Sequence, residues 1–132
     1  MNLVCVDPRD VQRVWAFVSG MIHTAIRRGD ISAFKPVEQA VYNGDMLLWL
    51  AIDDKTIKAA AVSEISLTEN HKICTLVACG GKDMDDWLPL LEGIEHYARI
   101  EQCNSMRIIG RIGWERKLPQ YRPHRIVLER KL

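Results

Sequence analysis

No apolar run in this chain approaches the roughly 18–20 residues needed to cross a bilayer, so a membrane-spanning helix is excluded. The first ten residues, MNLVCVDPRD, lack a basic stretch followed by an apolar one, so no secretion signal is expected and the expected location is the cytoplasm. None of the cysteines (Cys5, Cys74, Cys79, Cys103) forms a C-x-x-C pair. Cys74 and Cys79 fall in one expected strand at an odd separation, which puts them on opposite faces of a regular strand. A shared metal or disulfide is therefore not expected, and the thiols read as small buried hydrophobes. The histidines are scattered without ligand spacing, so no metal site is expected. There is no internal repeat, low-complexity tract or linker, and the expectation is one domain over residues 1–132.

Net charge is also scarce, at +1, but it is unevenly distributed. Residues 107–132 carry eight Lys and Arg against Glu115 and Glu129, or +6, which leaves −5 on the first 106 residues. Such a dipolar chain can draw an anionic ligand or an acidic partner to one end, or can balance itself through internal ion pairs.

The pattern of residues gives the order of elements. Leu3–Val6 is a short β-type run closed by Asp7-Pro8. Val11, Val14, Trp15, Val18, Met21, Ile22 and Ala25 then recur at helical spacing up to Arg27-Arg28-Gly29, where Gly29 reads as the terminating glycine. A shorter helix is predicted from about Ile31 to Tyr42, with Pro36 in its first turn. Met46–Ile52, Ile57–Leu67 and Lys72–Cys79 read as three strands joined by tight polar turns, an antiparallel meander. Trp87, Leu91, Ile94 and Ala98 form one stripe of a long helix expected to start at Asp85 or Asp86. Ser105–Ile109 is a fifth strand, parallel to the third meander strand through a right-handed crossover. A short helix from Trp114 to about Leu118 and a last strand, Arg125–Glu129, complete a mixed α/β sheet. Trp15, Trp49, Trp87 and Trp114 each fall on an apolar face and read as core.

That order resembles the GNAT superfamily of N-acetyltransferases in its smallest form. The resemblance is carried by the segment from Val77 onward, VACGGKDMDDWLPLLEGIEHYARIEQCNSMRIIGRIGWERKLPQYRPHRIVLERKL. Within it the GR-x-GW-x-R-x-L phrase, Gly110 to Leu118, is also similar to small GNAT-like proteins of bacteriophages and prophages. The resemblance implies acetyl-CoA as cofactor, held through Val77, Cys79, Gly80, Gly81 and Lys82 with Arg111 and Arg116 compensating phosphate charge. It implies a carboxylate base, for which Glu64 is the only candidate inside an expected strand, and a tyrosine acid, for which Tyr121 is the nearest candidate. Glu64 also fits a solvent-facing position on an alternating strand, and Tyr121 a packing role.

The chain departs from the family pattern in two places. The loop after the meander, Gly80 to Asp86, carries three aspartates where a phosphate is expected, offset by Lys82 alone. Arg116 stands where the family's tyrosine stands. These departures favour a GNAT-fold protein with weak or lost acyl-CoA chemistry, acting as a virion-associated or host-interaction accessory with a protein partner. The alternatives are an active acetyl-CoA-dependent N-acetyltransferase and a nucleic-acid binder using the basic C-terminal segment.

Overall fold

The computed structural model describes residues 1–110 and 113–132. Its frame is one sheet in the order β1-β2-β3-β4-β5: β1 (Asn2–Cys5), β2 (Leu47–Asp53), β3 (Thr56–Leu67), β4 (Lys72–Gly81) and β5 (Ser105–Ile108). The first four strands pair antiparallel, and β4 pairs parallel with β5, as the crossover rule requires. The meander and the parallel pairing that follows it are thus those expected from the pattern of residues.

On one face lie α1 (Val11–Gly29) and α2 (Phe34–Asn43). Val11, Trp15, Val18, Ile22 and Ile26 form the buried stripe of α1 and pack on Leu48, Leu50, Ala60, Val62 and Ala78 of the sheet. Asp30, not Gly29, takes the left-handed position that ends α1 (φ 51°), and its N–H donates to the Ile26 carbonyl at 2.9 Å. The β2–β3 hairpin turns through Asp54, also left-handed at φ 57°.

The other face is built differently. Instead of one long helix from Asp85, the chain makes a single turn α3 (Met84–Trp87), a 3-10 turn (Leu88–Leu90) and then α4 (Leu91–Ile100). Pro89 accounts for the break, because it has no N–H and crowds the preceding turn. Ile94 of α4 packs against Trp49, Ala61 and Leu76, while Trp87 packs over Ala51 and Ala59. Trp15, Trp49 and Trp87 are buried with their indole N–H groups satisfied by Glu38, the Ser63 hydroxyl and the Lys82 carbonyl at 2.7, 2.9 and 2.7 Å.

The expected final strand, Arg125–Glu129, does not form. After α5 (Trp114–Lys117) the chain is anchored at Leu118 and Tyr121 and then runs without a partner strand. The sequence is β-forming there, but a strand needs a ladder, and this segment does not pair with β5. Among the described residues no helix is long and apolar enough to cross a membrane.

Candidate functional site

The site originates in a single extra residue. Across the β3–β4 ladder Val62 faces Ala78 while Ser63 faces Leu76, so Val77 is a bulge with no opposite number. A bulge sharpens the local twist and bends its strand. The parallel pairing of β4 with β5 stops at that point, with Leu76 opposite Ile108 as its last pair. Beyond it the two strands diverge and leave a groove of about 460 Å³, within the range of ordinary ligand sites.

The bulge also reverses side-chain parity along β4. Leu76 and Cys79 therefore share the α4 face, and Ala78 lies on the α1 face. Cys74, two residues before Leu76, belongs to that same α4 face, so the expectation that Cys74 and Cys79 lie on opposite faces is corrected. All four thiols are unpaired.

Main-chain polarity makes the groove more than a gap. The Lys82 N–H donates to the Lys58 carbonyl at 3.2 Å, which marks the inward-facing register of this end of the ladder. By alternation, Gly80 and Ala78 also face β3, and the N–H and C=O groups of Cys79 and Gly81 face the groove. They offer two donors and two acceptors along one wall to any extended, amide-bearing ligand.

The glycines of β4 are explained by packing. A Cβ on Gly80 would lie 2.8 Å from the Met21 carbonyl oxygen of α1, and one on Gly81 would lie 2.4 Å from the Lys58 carbonyl oxygen. Gly80 thus lets the C-terminal half of α1 sit directly on β4, where Met21, Thr24, Ala25 and Arg28 become the second wall of the groove. Trp87 and Trp114 line it on the opposite side. The charged side chains among the described lining residues are Arg28 and Lys82, both cationic and both exposed, which suits an anion at the open end.

A second, apolar cavity of about 30 Å³, room for one water-sized group, lies beside the groove and shares Leu76, Cys79, Trp87 and Trp114 with it. Its floor is Ala51, Ala59 and Ala61 of the sheet. Burial pushes the Cys79 thiol up to about 12, so it is fully protonated at neutral pH.

Of the residues singled out from the sequence, Val77, Cys79, Gly80, Gly81 and Lys82 all line this groove. Arg116, exposed on α5, does not, and Arg111 lies outside the described residues. Glu64 is half-buried on β3 opposite Thr75, on the α1 face, one residue pair beyond the closed end of the groove at Leu76. Tyr121 lies apart from the groove, and its hydroxyl donates to Glu95 Oε2 of α4 at 2.5 Å. Burial first and that carboxylate second raise the Tyr121 hydroxyl above its ordinary range. The three aspartates of the loop are exposed, and Asp85 pairs with Lys117 at 2.9 Å. The α1 wall was missed by sequence reading because it is set by the crossing of α1 over Gly80, a contact between residues far apart in the chain.

No family profile and no curated protein matches the chain. Solved structures do. A tetramutant of the BH1408 protein from Bacillus halodurans superposes with a TM-score of 0.69 at 16% identity, covering 100% of both chains. A predicted acetyltransferase from Clostridium acetobutylicum, solved with acetyl-CoA, gives 0.70 at 9% identity over 98% of this chain and 95% of that one. A GNAT family acetyltransferase from Staphylococcus aureus gives 0.66 at 11% identity over 100% of both. At such identities the likeness carries architecture alone, and the architecture is that of the GNAT acetyltransferases, in agreement with the resemblance drawn from Val77 onward.

Proposed function

We infer that the groove between β4 and β5 binds an acyl-CoA thioester and that the protein is a GNAT-type acyl-CoA binder with weak acyl transfer to an amine. The observation that carries this reading is the Val77 bulge. It opens the strands where pairing stops and presents the Cys79 and Gly81 main-chain groups to the amides of a pantetheine arm. The groove fits that arm in size and in donor pattern, and Lys82 and Arg28 supply positive charge at the end where phosphates would lie. The aspartates of the loop oppose them, which favours modest affinity and a strong dependence on salt.

When bound, the thioester supplies an activated acyl carbon. Attack on it by an amine nitrogen would break the C–S bond, and the departing thiolate would take up a proton. No Asp, Glu, His or Tyr is among the described residues lining the groove. The amine must therefore arrive uncharged, or lose its proton through water to Glu64 beyond the closed end. Tyr121, bound to Glu95, is not offered to the leaving thiolate. Transfer should accelerate with pH as the acceptor amine deprotonates.

Titration calorimetry with acetyl-CoA at low salt tests the binding. Saturable heat that weakens in Arg28→Ala/Lys82→Ala is expected, and no heat at millimolar acetyl-CoA would overturn the reading. Glu64→Gln should slow transfer without weakening binding.

The absence of Asp, Glu, His and Tyr among the described groove residues also favours a second reading, an accessory protein that keeps the fold and acts through a protein partner. Acetyl-CoA binding without any acylated product from an amine panel would favour it. The basic C-terminal segment leaves a third reading, nucleic-acid binding, distinguished by affinity that falls steeply with salt and is indifferent to acetyl-CoA.

A further inference from the structure

The structure holds a strand without a sheet and a sheet edge without a strand. Ile126, Val127 and Leu128 are 78%, 83% and 87% exposed, three consecutive side chains of the kind that build strands. Just upstream the chain is fixed: Leu118 is buried, and Tyr121 donates from its N–H to the Leu118 carbonyl at 3.0 Å and from its hydroxyl to Glu95. An anchored chain that then carries apolar side chains straight into solvent is unusual for an isolated monomer.

The sheet supplies the complement. β5 is one of its two terminal strands, β1 being the other, and among the described residues it pairs with β4 alone. The Ile109 N–H donates to the Leu76 carbonyl, so main-chain groups at odd positions of β5 face β4. By alternation Met106 and Ile108 turn their N–H and C=O groups to the open edge. Such an edge is a template for another extended segment, and a fold that leaves it bare risks uncontrolled pairing.

We propose that residues 125–129 of one copy add antiparallel to the β5 edge of a second copy, reciprocally, to form a two-fold strand-exchanged dimer. Setting Ile126 opposite Ile108 and Leu128 opposite Met106 extends the apolar face on which Met106 and Ile108 pack near Trp49, Leu76 and Ile94. Val127 then lies opposite Arg107 and Glu129 diagonal to it, so the charge of Arg107 gains a carboxylate neighbour. Each copy has one donor segment and one β5 edge, so the exchange closes at two chains and leaves neither β5 edge free. The chain's own β5 is not the acceptor, because the segment leaves its anchor without pairing there. This inference stands independently of acyl-CoA binding.

Light scattering on the eluting protein is the test. The unaltered chain should run at twice its own mass. Leu128→Pro removes the N–H that the ladder needs, and that variant should run at the single-chain mass with an unchanged secondary-structure spectrum. A monomeric unaltered chain, or a dimer that survives Leu128→Pro, overturns the proposal. With Cys5→Ser as background, oxidising Met106→Cys/Leu128→Cys should link two chains into a covalent dimer. A link closed within one chain, or none, overturns it.

Discussion

Up to Gly81 the chain is laid out in long elements: a 19-residue α1, a 12-residue β3 and a 10-residue β4, with β2 and β3 paired on both sides and β4 on both sides as far as Leu76. After Gly81 no helix exceeds ten residues, β5 has four, and the last residues have no ladder at all. The first region buries a continuous core between α1, α2 and the sheet. The second supplies one wall of a groove, an open sheet edge and an exposed apolar segment. The first region is thus built for burial, whereas the second leaves main-chain groups and apolar side chains open to solvent.

The widest gap between the regions should appear on truncating side chains. Ile22→Ala, at a fully buried position of α1, should cost about 2–5 kcal/mol. Ile126→Ala, measured in dilute monomer, should stay within about 0.5 kcal/mol in a denaturant titration. Equal effects would erase the distinction. Glycines sharpen it next. Gly81→Ala forces a Cβ to 2.4 Å from the Lys58 carbonyl oxygen and should destabilise by about 1–3 kcal/mol. Gly20→Ala, in the middle of α1 with nothing within 4 Å, should stabilise by about 0.5–1 kcal/mol. The same substitution should thus change sign between a strand end crowded by β3 and an exposed helix face.

Tyr121→Phe removes the one hydroxyl that ties the C-terminal segment to α4, through Glu95. A loss of about 0.5–1.5 kcal/mol is expected, with faster amide exchange after Leu118 and no change in α1. The smallest effect is one of pH. Burial raises the Cys74 thiol to about 11 and the Cys79 thiol to about 12, from an ordinary value of 9.0. Burial, with Glu101 behind it, raises the Tyr97 hydroxyl to about 12. These groups keep their protons in the folded chain after the unfolded chain has begun to lose them. Their contribution is complete below the unfolded values and is lost as pH rises from there through the folded ones. Denaturant midpoints should therefore fall progressively in alkali, and fall less in Cys79→Ala relative to its own neutral-pH midpoint.

Periodicity was enough to read the scaffold. The 11, 15, 18, 22 stripe of α1 and the three apolar runs of the meander each follow from local pattern, and both are present in the structure. Two local signals misled. The stripe from Trp87 to Ala98 reads as one long helix starting at Asp85 or Asp86, yet Pro89 interrupts it, and Arg125–Glu129 has strand propensity without a partner in its own chain. Val77, Cys79, Gly80, Gly81 and Lys82 were named through the resemblance of the segment from Val77 onward, and all five line the groove. The bulge at Val77 was not legible, since it is a property of register between two strands, and neither was the α1 wall, which depends on how a helix crosses a strand remote in sequence.

The central claim is that the bulged edge of β4 holds acyl-CoA by its main chain, and amide hydrogen exchange at Cys79 and Gly81 tests it most directly. Addition of acetyl-CoA should slow exchange at these two amides while leaving Gly80, already turned toward β3, unchanged. Exchange at Cys79 and Gly81 that is unaltered under saturating acetyl-CoA would contradict the account.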